Sequence, residues 1–182
     1  MSENKILILF KSKYGATEKY ANILKSKLNC DVINLENKEQ IDLKKYEIVI
    51  LAGGIYASGI AGLGFLRKHY NEIKDKNVAI LCVGASPYDE KAFEEVKARN
   101  LKEDLKDIPI FYARGAWNED IMNMKDKMLC KMLQVSIKRK DPETYEPWMK
   151  AFADSMGEKR DWVSEESIEP LIDYINSKMK EH

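Results

Sequence analysis

The sequence predicts an α/β fold: a doubly wound parallel sheet with helices on both faces. Two observations carry that prediction. Short apolar runs rich in branched residues alternate with longer stretches whose apolar residues recur at helical spacing, and four of those runs end in turns of glycine, serine and alanine. Continuous apolar runs mark strands covered on both sides. Strand and helix in alternation give right-handed crossovers and place ligands at the carboxyl ends of the strands.

The first strand is Ile6-Leu7-Ile8-Leu9-Phe10, too short for a helix, and Tyr20, Ile23, Leu24 and Leu28 then recur at helical spacing. Between them lies Ser12-Lys13-Tyr14-Gly15-Ala16-Thr17. Its amides stand at a helix amino terminus, where they have no intrahelical acceptor and the macrodipole adds about half a positive charge. An anionic phosphate is the natural ligand of such a turn. Ser12 and Thr17 add hydroxyl donors, and Gly15 accepts positive φ or close approach. The alternative is an ordinary strand-to-helix turn. A triphosphate loop ending in Gly-Lys-Ser/Thr and a Gly-x-Gly-x-x-Gly dinucleotide fingerprint are both absent.

Asp31 to Leu35 forms a short second strand, and the polar stretch from Glu36 to Lys45 returns the chain to a third, Ile48 to Leu51. A glycine-rich loop, Ala52 to Gly59, follows, and Leu63, Leu66 and Tyr70 open one crossover helix. The fourth strand, Val78 to Val83, ends in Gly84-Ala85-Ser86-Pro87-Tyr88, before a helix over 89–100. The fifth, Ile108 to Ala113, ends in Gly115-Ala116-Trp117. Receiver domains share this alternation, but they need acidic residues after the first and third strands, where this chain has Phe10-Lys11 and Leu51-Ala52-Gly53. The closing helix is placed at about 167–180, with Pro170 in its first turn, where no amide is needed. Residues 118 to 163 therefore form an insertion.

With 182 residues the chain fits a single domain, 1–182, large enough to stand without disulfides or metals. Its 30 basic and 30 acidic residues give no sign of nucleic-acid binding. Cys30, Cys82 and Cys130 are widely spaced and read as free thiols of a reducing, cytoplasmic compartment. No apolar run reaches the ~18 residues of a membrane span, and no signal peptide pattern opens the chain.

The hydroxyl-glycine-hydroxyl turn after the first strand resembles the phosphate loop of the flavodoxin family, with Lys13 and Tyr14 as departures from its usual small neutral residues. Tyr112, Gly115-Ala116, the segment Lys125-Asp126-Lys127-Met128-Leu129-Cys130-Lys131-Met132, and Asp161-Trp162 extend the resemblance to flavodoxin-fold proteins of the menaquinone-dependent protoporphyrinogen oxidase type, over nearly the whole chain. The resemblance implies a flavodoxin-like five-stranded sheet in the order 2-1-3-4-5, one bound FMN, and a two-electron oxidoreductase with a quinone as acceptor. An electron carrier serving a redox partner protein is the alternative. The residues expected around FMN are Ser12 to Thr17, Gly54, Ile55, Tyr56, Ala57 and Ser58, Gly84, Ala85 and Ser86, and Gly115, Ala116 and Trp117.

Tyr56, Tyr88 and Trp117 lie just past strand ends, where an aromatic either stacks on an isoalloxazine or packs locally; Tyr56 and Trp117 are the favoured stackers. Ser86 is a candidate for the flavin's pyrimidine edge, or simply a turn former before Pro87. His69 is expected on a crossover helix in a surface or packing role, and the other histidine, His182, closes the chain. No acid, base or nucleophile constellation assembles around it, so no catalytic side chain and no metal site is named. In the insertion, Ile121, Met124, Met128, Leu129, Met132 and Leu133 make a helical stripe opposite Lys127, Lys131 and Lys138. It reads as a packed helix or as a docking face over 121–140 for anionic lipid, which would hold the protein peripherally at the inner membrane face.

Overall fold

A computed structural model describes residues 5–37 and 40–180. Residues 1–4, residues 38–39 in the polar return, and residues 181–182, His182 among them, lie outside the described residues. In chain order the main elements are β1 (Ile6–Lys11), α1 (Ala16–Lys27), β2 (Cys30–Asn34), β3 (Ile48–Tyr56), β4 (Gly59–Ile60), α2 (Leu63–Lys68), α3 (Tyr70–Ile73) and β5 (Asn77–Gly84). There follow α4 (Glu90–Asn100), β6 (Ile110–Arg114), β7 (Ala116–Trp117), α5 (Met124–Lys138), α6 (Pro147–Ser155), β8 (Arg160–Asp161) and α7 (Glu169–Lys180).

The sheet order is β2-β1-β3-β5-β6, all parallel, which is the expected 2-1-3-4-5 once the short β4 is set aside. Successive strand residues face opposite sides, and two cores result. Ile6, Ile8 and Phe10 point with Ile50, Leu81, Leu24, Leu171 and Ile175 into the layer under α1 and α7. Leu7, Leu9, Val49 and Leu51 join Leu63, Leu66, Ile73, Ile80 and Leu105 in the layer under α2 to α4. Burial on both sides explains why β1, β3 and β5 read as unbroken apolar runs.

Three boundaries differ from expectation. The third strand does not stop at Leu51 but continues to Tyr56 and turns back into β4, so the glycine-rich stretch is a hairpin, with Ile55 opposite Ile60 and Tyr56 opposite Gly59. The turn residues are Ala57 and Ser58, both with positive φ (48° and 63°). The helix expected from Leu63 is broken into α2 and α3 at His69, whose backbone leaves helical values (φ −104°, ψ 18°). The last strand starts at Ile110, although the amide of Ile80 already bonds Pro109 O at 2.9 Å.

The insertion is pinned at its root by β7 and β8, where Ala116 pairs with Asp161 and Trp117 with Arg160, antiparallel. Asn123 caps α5, its side chain accepting from the amide of Asp126 at 2.9 Å. Among the described residues no helix is long and apolar enough to cross a membrane.

Candidate functional site

The turn after β1 carries the site. Gly15 adopts the left-handed conformation (φ 91°), immediately before α1, and a Cβ placed there would meet nothing within 4 Å. Its amide donates to Ser12 Oγ at 3.1 Å. No side chain caps α1, so the first-turn amides keep no intrahelical acceptor. Thr17 is buried in that first turn, and Gly115 crowds Ala16, since a Cβ on Gly115 would stand 3.1 Å from the alanine methyl. The loop is therefore a backbone cradle that opens towards the carboxyl ends of the strands.

Two distant segments close on this cradle. From the β3 hairpin, Tyr56 brings its hydroxyl to accept from the Lys13 amide at 3.0 Å, with its ring folded back over Gly54. From α5, Asp126 accepts hydrogen bonds from both Lys13 Nζ and Tyr14 Oη. The Lys13 ammonium lies 5.4 Å and 5.7 Å from the Tyr14 and Tyr56 ring centroids, and the two rings meet edge to face at 6.2 Å. The Lys13 hydrogen bond, then that of Tyr14, holds the Asp126 carboxyl below its ordinary value, and Asp126 raises Lys13 in return. Desolvation first, then Asp126, pushes the Tyr14 phenol up. In the sequence Asp126 stands out only as part of the segment Lys125 to Met132, with no role of its own. No spacing rule connects residue 126 to residue 13.

The remaining loops converge on the same edge. The amide of Gly115 donates to Gly84 O at 2.7 Å, Tyr112 Oη donates to the Ser86 carbonyl, and Arg114 Nε donates to Ala85 O at 3.1 Å. A Cβ on Gly84 would stand 2.7 Å from Tyr112 Oη, one on Gly115 2.8 Å from Val83 Cγ1, and one on Gly53 would collide with the Ala61 carbonyl. These glycines are thus required by the chain's own neighbours, whereas Gly15 faces open space.

Of the expected stackers, Tyr56 stays at the cradle, while Trp117 turns to the insertion: its ring meets Phe152 edge-on at 5.4 Å and its Nε1 donates to Glu119. Tyr88 is exposed and leans on Phe93 and Tyr112. His69 stacks on Phe65 at 4.3 Å and bonds Glu72, as a packing residue. Asn100, which the sequence did not flag, is buried at the end of α4. Its amide group donates to Ser58 O at 2.6 Å and Val96 O at 2.8 Å, and its carbonyl accepts from the Ile60 amide at 3.1 Å.

Residues 7–145 match the family described as "Flavodoxin domain". The chain belongs to the flavodoxin domain family. Among solved structures, this flavodoxin domain is similar to a flavoprotein of Lactobacillus acidophilus NCFM in complex with FMN (15% identity, TM-score 0.46, 62% of this chain and 93% of that one). It is also similar to the Trp repressor binding protein of Bacillus subtilis (19%, TM-score 0.43, 75% and 99%) and to a flavodoxin mutant of Fusobacterium nucleatum bound to flavin mononucleotide (13%, TM-score 0.35, 66% and 73%). No curated protein matches it. Among the described residues no group of side chains is placed to hold a metal ion. Burial pushes the Cys30 thiol up to about 11 and Cys82 higher still, which leaves both unreactive.

Proposed function

We propose that this flavodoxin domain binds FMN, with the phosphate on the Ser12–Thr17 turn, and works as an FMN-dependent oxidoreductase. The observation that carries the reading is the cradle: left-handed Gly15 open to solvent, uncapped first-turn amides of α1, and the hydroxyls of Ser12 and Thr17, all at the carboxyl edge of a flavodoxin-family sheet. Bound there, the cofactor supplies the hydride and electron chemistry. The chain's own residues position it. Ser12 to Thr17 would hold the phosphate, and the segments Gly54–Ser58, Gly84–Ser86 and Gly115–Ala116 would border the ring, with Trp117 turned to the insertion instead. The test is a titration of the purified protein with FMN. Saturable uptake with a shifted flavin spectrum is expected, as is weaker uptake in Thr17→Glu, whose carboxylate repels the phosphate; no uptake by the parent protein would end the reading.

Within that reading, the insertion favours a function like that of the menaquinone-dependent protoporphyrinogen oxidases, with a quinone as acceptor. Steady-state oxidation of a porphyrinogen with a quinone supports it. Electron exchange with a partner protein and no turnover supports the carrier alternative. The insertion also offers a surface. Met124, Met128 and Met132 are 80%, 62% and 64% exposed, Ile121 and Val135 are exposed beside them, and Lys125, Lys127, Lys131, Lys138, Arg139 and Lys140 accompany them. The one acid of that stretch, Asp126, is turned away onto Lys13. We read α5 as a face for anionic lipid, which would make the protein peripheral to a membrane. Sedimentation with anionic vesicles, lost in salt and in a triple methionine-to-alanine variant, is the expected result.

A further inference from the structure

A cavity of about 330 Å³ opens between the sheet edge and the insertion, lined by Pro87, Arg114, Ala151, Asp154, Arg160 and Trp162 together with Pro147, Lys150 and Ser155. It shares a wall with the cradle's surroundings. Pro87 follows Ser86 on the loop after β5, and Arg114 ends β6 while holding Ala85 O through Nε. The opposite wall is α6, so a minimal five-stranded domain would lack this cavity.

Its charges are unequal in an informative way. The guanidinium carbon of Arg114 lies over the Trp162 ring, 3.7 Å from its centroid, and no carboxylate pairs with it among the described residues. Burial lowers its pKa from the ordinary value, although an arginine stays charged. Arg160 is already paired with Glu158, and the Ser155 hydroxyl donates to Ala151 O. Lys150 has no ion pair among the described residues. Asp154 is the acid of the lining, and it is exposed at the rim. What remains is one half-buried cation whose Nη atoms make no hydrogen bond among the described residues, an exposed ammonium on α6, and an apolar wall of Trp162, Pro87, Pro147 and Ala151. A planar fork held on an aromatic face is suited to two-point capture of a carboxylate, and a cavity at the small end of ligand sites holds about one ring.

We infer that this cavity binds a small aromatic carboxylate, its carboxylate on Arg114 and Lys150 and its ring against Trp162 and the prolines. That such a molecule is a substrate rests on the FMN reading, whereas its binding does not require flavin. The probe is 3-phenylpropionate, with 3-phenylpropionamide as the uncharged control, titrated by calorimetry and tryptophan fluorescence into the protein with and without FMN. Saturable binding of the acid, and at least about tenfold weaker binding of the amide, is expected from the loss of a charge-assisted pair. Arg114→Met should abolish binding and Arg114→Lys retain part of it. Lys150→Gln, on the exposed side of α6, should weaken it about threefold or more without changing the melt, which keeps the test valid if Arg114→Met fails to fold. Equal affinity for acid and amide, no saturation by about 10 mM, or unaltered affinity in Lys150→Gln together with Arg114→Lys would overturn the inference. Flavin uptake without carboxylate binding removes this site alone; carboxylate binding without flavin uptake removes the FMN reading alone.

Discussion

In the sheet, Leu7, Leu9, Val49, Leu51, Ile80 and Leu81 have no exposed surface, and helices cover both faces; in the insertion, the fifteen residues of α5 bury only Ile137. Beside the buried Ile137 and Met149 and the Trp117–Phe152 contact, the insertion is held by polar ties. Lys13 and Tyr14 bind Asp126, Lys19 binds Asp161, Lys159 binds Asp120, and Glu119 accepts from the amide of Gly157. The difference teaches that one chain carries two kinds of stability. The sheet rests on apolar burial, which is insensitive to pH and salt. The insertion rests on charged pairs at partly exposed sites, each worth little and sensitive to both.

Cutting the sheet core should have the largest effect. Leu51→Ala, at a site with no exposed surface, is expected to lower unfolding free energy by about 2 to 5 kcal/mol, read from denaturant melts. The triple alanine variant of Met124, Met128 and Met132 should stay near zero, because exposed substitutions rarely exceed about 0.5 kcal/mol each. A loss of several kcal/mol in that variant would mean that α5 is packed, and would erase the contrast.

The most local effect belongs to Asp126. Its carboxyl is held below the ordinary value by Lys13 and Tyr14, so the tie is present above the unfolded value of about 4 and is lost as pH falls through the lowered folded one. Hydrogen exchange should show the first turn of α5 losing protection below about pH 4 while β1 and β3 keep theirs. Asp126→Asn should remove that pH dependence at a global cost below about 1 kcal/mol.

The same division decided what could be read from sequence. Strands β1, β3 and β5 were legible because burial on both faces leaves nothing but apolar residues, and the cradle was legible because its chemistry is local, within Ser12 to Thr17. The β3–β4 hairpin was hidden because its turn uses Ala57 and Ser58 where the usual signal is asparagine or glycine. The break at His69 carries neither glycine nor proline. The contacts of Asp126, Arg114, Trp162 and Asn100 were not legible for a different reason: each acts on a partner far along the chain, and single residues of that kind leave no period or spacing to detect.

Asn100 has a wider meaning for how the hairpin tip behaves. The tip holds two non-glycine residues in the left-handed region, a conformation that persists only where surrounding bonds over-determine it. Two bonds from one buried amide do so, to Ser58 O and from the Ile60 amide, while a third holds that amide to Val96 O in its own helix, so the tip is joined to the last turn of α4. Tip and helix are therefore tied together, and Tyr56, which begins the turn and accepts from the Lys13 amide in the cradle, is the far end of that unit. A tilt of α4 would be felt at Lys13 through a lever about one hairpin long, so the cradle's shape is set in part from the opposite layer of the molecule.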